Sequence, residues 1–330
     1  MSLVTPYAGL PARFEGYDLS PERRAPLSPF NLVGWGMSAN AALRGAVGII
    51  GGSGIYELDG LTNTRWEKAA SPFGAPSDEL LVGELQGQHV VFLPRHGRGH
   101  RIPPGEINFR ANIDVLKRAG VTDVIALSAV GSLREDLAPG TFVVVDQFID
   151  RTFARAKTFF GTGCVAHVPM AEPVCARLGG ALEAAGAQAG VRLVRGGTYV
   201  VMEGPQFSTR AESELYRSWG ASVIGMTNMP EAKLAREAEL CYATVAMVTD
   251  YDCWHPHHAS VTVQEVVRTI AANVAAARQL LLHTLPRLSQ RPVPCPHGCD
   301  RTLDHAVMTA AGVRDPAVVA RLDAVAGRVL

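Results

Sequence analysis

Short, wholly apolar segments alternate with amphipathic ones along most of the chain, and this alternation limits the possible folds more than any other feature. The apolar segments read AVGII, HVVFL, DVIALSA, FVVVDQFI, YVVMEG, SVIGMT and ATVAMVTD. Between several of them lie stretches with helical spacing: FRANIDVLKRAG, CARLGGALEAAGAQAG and AESELYRSWG. Strands that are apolar on both faces and alternate with helices belong to a mostly parallel sheet that helices cover on both sides. The sequence therefore predicts an α/β fold with a mixed, largely parallel β-sheet flanked by helices.

The alternating pattern occupies the middle of the 330-residue chain. We predict a single domain over residues 46–290, an N-terminal extension over residues 1–45 and a C-terminal tail with a short helix over residues 291–330, with both ends loosely attached. Pro230 is expected to begin a helix, and an alanine-rich helix is expected from about Val263 to Thr284.

Charge and hydropathy narrow the class of ligand. The chain carries 31 basic and 31 acidic residues, so no net charge draws it to nucleic acid or to an anionic membrane. No apolar run reaches the ~18–20 residues of a membrane span, and residues 1–45 lack the pattern of a secretory signal. Six scattered cysteines fit reduced thiols. We expect a cytoplasmic protein that binds a small molecule, with Met37 as a second candidate for its initiating residue.

Polar side chains follow the predicted strands at the points where those strands end. They are Ser53, Arg95, His96, Ser128, Glu203, Thr227, Asp250 and Asp252. Because ligands of an open parallel sheet bind beyond the carboxyl ends of its strands, we expect these side chains to share one ligand site.

Two of these segments have the chemistry of an anion site. GIIGGSGIYELDG lacks the full glycine pattern of a dinucleotide fold and the lysine of a P-loop. Its glycine-rich turn has two interpretations. Either backbone N–H groups and the Ser53 hydroxyl surround an oxyanion, or the turn is only a tight connection before a helix. RHGRGH supplies Arg95 and His96, which suit phosphate, although a solvated basic loop has the same composition.

The segment TDYDCW places Asp250 and Asp252 two residues apart, so both carboxylates face one side if the chain stays extended. Two close carboxylates raise the pKa of one of them, and burial adds to the effect. A carboxylic acid that stays protonated near neutrality can donate to a ring nitrogen as a leaving group departs. The alternatives are a helix N-cap at Asp252, a surface turn and a metal site.

Two further clusters contain metal-ligating residue types without a full ligand set. HPHH, at residues 255–258, is expected to be a solvent-exposed loop. CPHGC contributes Cys295 and Cys299 without a second Cys/His pair, which favours structural thiols, a disulfide or a free tail. We predict no metal site.

Eight motifs, in order along the chain, resemble those of the 5′-methylthioadenosine phosphorylases, a branch of the trimeric purine nucleoside phosphorylases. They are GIIGGSGIYELDG, FLPRHGRGH, SAVGSLREDLAPG, DQFIDRT, HVPMAEP, EGPQFSTRAES, GMTNMPEAKLAREAELCYA and TDYDCW. The resemblance covers residues 46–290 and implies that inorganic phosphate cleaves S-methyl-5′-thioadenosine into adenine and 5-methylthioribose 1-phosphate, as a step of purine and methionine salvage. It implies no metal or organic cofactor, since phosphate is a co-substrate, and a homotrimer in which a neighbouring subunit completes each 5′ pocket.

The resemblance also implies roles for individual residues. The phosphate site falls on Ser53, Arg95, His96, Ser128, Ala129 and Thr227. The nucleoside site falls on Met226 beneath the ribose, Phe207 and Ser208 at the base, and Asp250 and Asp252 as the adenine-recognising pair, with Asp250 as the catalytic acid. The wall of the 5′-methylthio pocket falls on His167, Val263, Val266 and Val267.

Several other functions stay open on the sequence. Two carboxylates suit the 6-amino group of adenine, because a 6-oxo group needs a donor opposite it. A protonated Asp250 also donates, so a 6-oxopurine nucleoside phosphorylase acting on methylthioinosine, inosine or guanosine is the main alternative. A nucleoside hydrolase, a nucleoside-binding protein and an NAD-binding protein are the others, and the last of these lacks its G-x-G-x-x-G pattern.

Overall fold

The computed structural model describes residues 43, 45–52, 55, 57–256 and 263–330, with backbone alone for residues 263–268. Its strands are β1 (Ala46–Gly51), β2 (Thr62–Glu67), β3 (Leu80–Leu85), β4 (Gln88–Pro94), β5 (Val121–Ser132), β6 (Phe142–Val144), β7 (Gln147–Arg151), β8 (Leu193–Arg195), β9 (Thr198–Met202), β10 (Val223–Gly225) and β11 (Cys241–Asp250). Its α-helices are α1 (Phe109–Arg118), α2 (Ala176–Ala189), α3 (Arg210–Ser218), α4 (Asn228–Glu237), α5 (Val263–Thr284), α6 (Pro316–Arg321) and α7 (Asp323–Ala326). Within the described ranges, no helix has the length and apolarity that crossing a bilayer requires.

The long strand β5 is the centre of the sheet, because other strands pair along both of its edges. It pairs in parallel with β1 on one side and with β11 on the other, and its last two residues pair antiparallel with β10. The strand order is β2-β3-β4-β1-β5-β10-β9-β7. A branch starts at β5, where β11 pairs with β5 and β6, and β6 in turn pairs with β8. Since β4, β1, β5 and β11 run in parallel, their carboxyl ends meet at one edge of the sheet.

Both faces of the sheet are buried, as the apolar strands predict. Ala46 and Ile50 of β1 belong to one core cluster, which includes residues of α1 and α4. Val47 and Ile49 of the same strand belong to a second cluster, which includes residues of α2 and α5. Alternate side chains of a strand point to opposite faces, so one helical layer covers each side. The predicted fold class is confirmed.

Most of the predicted elements are present, with one clear error. The amphipathic stretches form α1, α2 and α3, and the helix predicted from Val263 to Thr284 is α5 with those bounds. The prediction of a single strand in FVVVDQFI is wrong, because β6 pairs with β11 and β8 whereas β7 pairs with β9. The chain turns between them at Asp146, whose carboxylate accepts the backbone N–H of Gly197 over 3.0 Å.

The described C-terminal tail, residues 291–330, is packed against the sheet, so the expectation of loose attachment is wrong there. Leu303, Leu322 and Val325 are buried in the same core cluster as α1 and α4. The Thr302 hydroxyl donates to the backbone oxygen of Arg236 over 2.7 Å. Apolar burial and polar contacts therefore both bind the tail to the rest of the chain. The predicted N-terminal extension lies almost wholly outside the described residues.

Candidate active site

A cavity of about 660 Å³ lies at the edge of the sheet where the parallel strands end. It is lined by the following predicted site residues: Arg95, His96, Ser128, Ala129, Phe207, Ser208, Met226, Thr227, Asp250 and Asp252. These residues come from segments that are distant in the sequence, and the parallel arrangement of the strands brings them together.

Three hydroxyl groups form a chain at one part of the cavity. Ser128 Oγ lies 2.8 Å from Thr227 Oγ1 and 3.0 Å from the hydroxyl oxygen of Tyr199. Burial raises the pKa of Tyr199, so its phenol keeps its proton at neutral pH. The chain of hydrogen bonds therefore fixes the orientation of the Ser128 and Thr227 hydroxyls.

The segment that carries α4 begins beside these hydroxyls. Thr227 precedes its first residue, Asn228, but Met229 has non-helical φ and ψ and Pro230 has no N–H group, so no regular helical turn starts at Thr227. The hydroxyl groups themselves can donate to an anion. This part of the cavity therefore suits an oxyanion.

Arg95 is held in the same part of the cavity by a buried ion pair. Its Nε and Nη2 donate to the two carboxylate oxygens of Glu231 over 2.8 and 3.0 Å, and its Nη1 donates to the backbone oxygen of Leu127 over 2.8 Å. Burial alone would lower the pKa of Arg95, but the charge and hydrogen bonds of Glu231 raise it above its usual value. A guanidinium has five N–H groups, so two remain for a ligand in the cavity.

His96 is neutral in this structure at physiological pH. Burial, with a smaller contribution from the positive charge of Arg95, lowers the pKa of His96 to about 4. Its Nδ1 lies 2.9 Å from the backbone oxygen of Ile102, and because a carbonyl only accepts, Nδ1 carries the proton. Nε2 is therefore an acceptor. The ring stacks on His100, which also lines the cavity, with 4.2 Å between ring centroids.

The carboxylate of Asp250 lies further along the strands, beside the end of β5. A register shift between Val248 and Asp250 interrupts the pairing of β11 with β5 and places Asp250 opposite Gly131. The Thr249 hydroxyl donates to one carboxylate oxygen of Asp250 over 2.6 Å, and the backbone N–H of Asp252 donates to the other over 2.8 Å. A Cβ atom on Gly131 would lie 3.0 Å from Asp250 Oδ1, so glycine leaves room for this carboxylate. Ser128 and Gly131 are three residues apart on β5, which is about 10 Å.

Asp252 lines the cavity by a different geometry from the predicted one. The expectation that the chain stays extended is wrong, because Asp252 has a left-handed φ of 53° and lies in a turn. Its two carboxylate oxygens accept the Ser208 hydroxyl over 2.9 and 2.8 Å. Each carboxylate thus has its own donors. Both still line the cavity, so both carboxyl groups can contact one ligand.

Apolar side chains line the rest of the cavity. Met226 follows β10, and Phe207 precedes α3 with half of its surface exposed. Ile270 and Val274, one helical turn apart on α5, also line it, and the sequence analysis missed both. Their four-residue spacing, which continues the predicted valines along one helical face, is the signal that could have found them.

The remaining predicted residues are not part of the described cavity. Ser53 and the side chains of Val263, Val266 and Val267 lie outside the described residues. His167 is exposed and does not line the cavity, and its backbone N–H donates to the backbone oxygen of Ala306 in the tail over 2.9 Å. The roles of all five stay predictions.

The prediction of an exposed HPHH loop is wrong at its first residue. His255 packs against Tyr251 and Trp254, with ring centroids 4.6 and 5.0 Å away. Its side chain is 9 % exposed. The aromatic neighbours therefore bury this imidazole, whereas His257 and His258 lie outside the described residues.

The sequence analysis also missed three buried residues that position the site. Glu231 and Tyr199 hold Arg95 and Ser128, as described above. Arg155 donates to the backbone oxygens of Met226 over 2.6 Å and Met229 over 2.8 Å, and so fixes the segment that carries Thr227. No local sequence motif identifies such supporting residues. An arginine or glutamate in an apolar stretch is a weak signal, because buried charges are rare unless paired.

Replacing Gly225 with alanine is expected to lower the free energy of unfolding by about 3 kcal/mol, because an overpacked core forces its neighbours to shift. A Cβ atom at this position would lie 2.2 Å from the Tyr199 hydroxyl oxygen, and Tyr199 is fully buried. Urea unfolding of Gly225→Ala measures the effect. The matched control is Gly161→Ala, where a Cβ meets nothing within 4 Å. Equal stability of the two variants would show that the hydroxyl chain is not rigid.

The chain belongs to the phosphorylase superfamily, because the model of that family matches residues 46–286. It is 61 % identical to the S-methyl-5′-thioadenosine phosphorylase of Cereibacter sphaeroides over 284 residues, which cover 86 % of this chain and 98 % of the relative. It is 60 % identical to the S-methyl-5′-thioadenosine phosphorylase of Rhodospirillum rubrum, with 86 % and 97 % covered.

Solved structures agree with this fold. A methylthioadenosine phosphorylase from an Antarctic soil metagenomic library has a TM-score of 0.81 and 44 % identity, covering 86 % of this chain and 99 % of that one. The methylthioadenosine phosphorylase from Schistosoma mansoni in complex with adenine has a TM-score of 0.75 and 38 % identity, covering 80 % and 99 %. The fold of this chain is therefore the fold of these methylthioadenosine phosphorylase structures.

Proposed function

We propose that this chain catalyses the phosphorolysis of S-methyl-5′-thioadenosine by inorganic phosphate, giving adenine and 5-methylthioribose 1-phosphate. One observation carries the proposal. A single cavity combines an oxyanion-binding part, formed by Arg95, His96, Ser128 and Thr227, with two carboxylates further along the strands. The likeness to S-methyl-5′-thioadenosine phosphorylases supports the same substrate.

Phosphate is bound in the oxyanion-binding part of the cavity. The two remaining N–H groups of Arg95 donate to it, as does one hydroxyl of the Ser128–Thr227 pair, because each hydroxyl carries one proton and the hydrogen bond between the two uses the other. Neutral His96 accepts from the O–H of hydrogen phosphate through Nε2. Backbone N–H groups near Ala129 and the predicted Ser53 hydroxyl complete the set. Holding phosphate in one orientation beneath C1′ of the ribose removes roughly 7–11 kcal/mol of the barrier to its attack.

The carboxylates select and activate the base. Asp252 accepts from the 6-amino group of adenine, with its orientation set by the Ser208 hydroxyl. Phe207 stacks on the purine ring, and Met226 lies beneath the ribose. A 6-oxo group opposite Asp252 would leave two acceptors facing each other, which costs about 1–3 kcal/mol for an unpaired buried polar group. The site therefore favours a 6-aminopurine.

The reaction transfers the ribosyl group directly. An oxygen of phosphate forms a bond to C1′ while the bond from C1′ to N9 breaks, and its electron pair passes to the purine. Asp250 enters the reaction protonated and donates its proton to N7. The proton lost by hydrogen phosphate passes through His96 and solvent and returns to Asp250, so the protons balance. The developing charge of the sugar is stabilised by the phosphate anion beside it.

The 5′-methylthio group is bound by apolar side chains. Ile270 and Val274 line the cavity from α5, and Val266 and Val267 precede Ile270 by four and three positions in the sequence. A free 5′-hydroxyl would lose its hydrogen bonds to water there.

His167 is exposed on the single chain, so its predicted role at the 5′ end requires a neighbouring subunit in a homotrimer. The enzyme is active in the cytoplasm.

The test is a phosphate-dependent assay on four nucleosides: methylthioadenosine, methylthioinosine, adenosine and inosine. We expect kcat/KM to be highest for methylthioadenosine. A 6-oxo group in place of the 6-amino group, or a 5′-hydroxyl in place of the 5′-methylthio group, should each lower kcat/KM by about tenfold or more. A preference for methylthioinosine or inosine would identify a 6-oxopurine phosphorylase. Undiminished base release in phosphate-free buffer would identify a hydrolase instead.

A further inference from the structure

Four cysteines from three separate segments of the sequence meet at the edge of the sheet opposite to the nucleoside cavity. Their Sγ atoms all lie within 4.8 Å of one another, and all four are buried: Cys175, Cys241, Cys295 and Cys299. The Sγ atoms of Cys175 and Cys295 are 3.9 Å apart. A tetrahedral ion with metal–sulfur bonds of ~2.3 Å requires sulfur–sulfur separations of ~3.8 Å. The cluster therefore nearly has the dimensions of a tetrathiolate metal site.

Separate elements deliver the four thiols. Cys241 is the first residue of β11, and Cys175 is the N-cap of α2, where the helix favours a negative thiolate. The other two come from one turn of the tail. Gly298 has a left-handed φ of 64°, and its N–H donates to the backbone oxygen of Cys295 over 2.9 Å, which brings Cys295 and Cys299 to the same site.

Two arginines supply positive charge to the sulfur atoms. Arg236 Nη1 lies 3.6 Å from Cys299 Sγ, and Arg291 Nη2 lies 3.7 Å from Cys241 Sγ. Arg291 also pairs with Asp123 and Asp300. Arg236 is buried, at 9 % exposure, and in the described part of the chain no carboxylate lies within ion-pair distance of it. A buried guanidinium without a carboxylate requires another source of negative charge.

We propose that these four thiolates bind one zinc ion, which fastens the C-terminal tail to the sheet. Four thiolates and Zn²⁺ carry a net charge of −2, and the guanidinium of Arg236, which has no carboxylate partner among the described residues, offsets part of it. Zinc fits because it takes tetrahedral thiolate ligands without a redox change. The sequence analysis predicts no metal site because CPHGC shows only two of these four ligands. His297, between them, is exposed and stands apart from the cluster.

The zinc is structural. Cys241 and Asp250 are the first and last residues of β11, and nine residue steps along a strand span about 30 Å. The ion is thus far from the reacting atoms. The tail that it fastens buries Leu303, Leu322 and Val325 in the core cluster, so its loss would expose apolar surface. Zinc binding therefore adds to the stability of the whole fold.

The test begins with the full-length wild-type protein, produced without an affinity tag and dialysed against buffer containing trace zinc. Elemental analysis is expected to give about one zinc per chain, and intact mass is expected to match six reduced thiols. Protein produced in cobalt-supplemented medium should show the visible absorption of tetrahedral cobalt thiolate. This measurement does not depend on the folding of any variant.

The variant Cys295→Ser is expected to lose about nine tenths of its zinc and to unfold at least about 5 °C lower. The matched control is Cys164→Ser, which changes a buried thiol outside the cluster and should keep its zinc. A zinc-free wild-type protein with four reduced thiols, or one with disulfides in the cluster, would overturn the proposal. Iron in place of zinc would overturn the assignment of the ion.

Discussion

Asp250→Asn should lower kcat for methylthioadenosine by about 10²–10⁴-fold, while the KM for phosphate stays within about twofold of the wild-type value. The amide has the shape of the carboxylate, and its oxygen can still accept the backbone N–H of Asp252, a contact of 2.8 Å in the structure. The turn that carries Asp252 is therefore kept. What is lost is an acid that can give a proton to N7 of the departing purine. Steady-state kinetics with each substrate varied separately measures both parameters.

An N7-methylated purine nucleoside provides the control for this prediction. Its base leaves without receiving a proton at N7, so the Asp250→Asn variant should turn it over at close to the wild-type rate. An equal loss on both nucleosides would mean that Asp250 only positions the base, and an undiminished rate on methylthioadenosine would remove it from catalysis. A second variant, Thr249→Val, removes a hydrogen bond to Asp250 without changing Asp250 itself. The Thr249 hydroxyl donates to Asp250 over 2.6 Å and helps to hold the carboxylate.

The sequence predicts the centre of this fold better than its margins. The strands β1, β5 and β11 are apolar on both faces, and such segments have few alternatives to a buried parallel sheet. By contrast, β2 is exposed along most of its length and has no apolar alternation, so its hydrophobic pattern does not mark it as a strand. It exists because β3 offers it a free edge. Pairing of this kind depends on tertiary context rather than on local composition.

A similar contrast separates the residues that line the cavity from those that support them. Ser128 follows the apolar run VIAL within β5, and Thr227 follows the apolar strand β10. The meeting of strands at one edge of the sheet makes the proximity of the two residues predictable. Glu231 lies 136 residues from Arg95, and no spacing relates the two. The four cysteines likewise come from three separate segments of the chain. Such partners become visible only when the chain is folded, because burial is what requires a charge or a thiol to find a partner.

Arg95→Met is expected to raise the KM for phosphate by about tenfold or more and also to destabilise the fold. The guanidinium gives charge-assisted hydrogen bonds to the anion, each worth about 1.5–3 kcal/mol. It also neutralises Glu231, whose side chain has no exposed surface. Removing one partner of a buried ion pair costs about 3–5 kcal/mol, because the other charge stays buried alone. The single variant therefore mixes a binding defect with a stability defect.

The double variant Arg95→Met/Glu231→Gln separates the two defects. With both charges removed, the buried carboxylate no longer needs a cation, so the free energy of unfolding should recover most of its loss. Phosphate binding should not recover, because the donors of Arg95 are still absent. Urea unfolding and the KM for phosphate, measured on the same preparations, distinguish these outcomes. If the double variant regained the wild-type KM, Arg95 would serve only to neutralise Glu231, and the anion would bind elsewhere in the cavity.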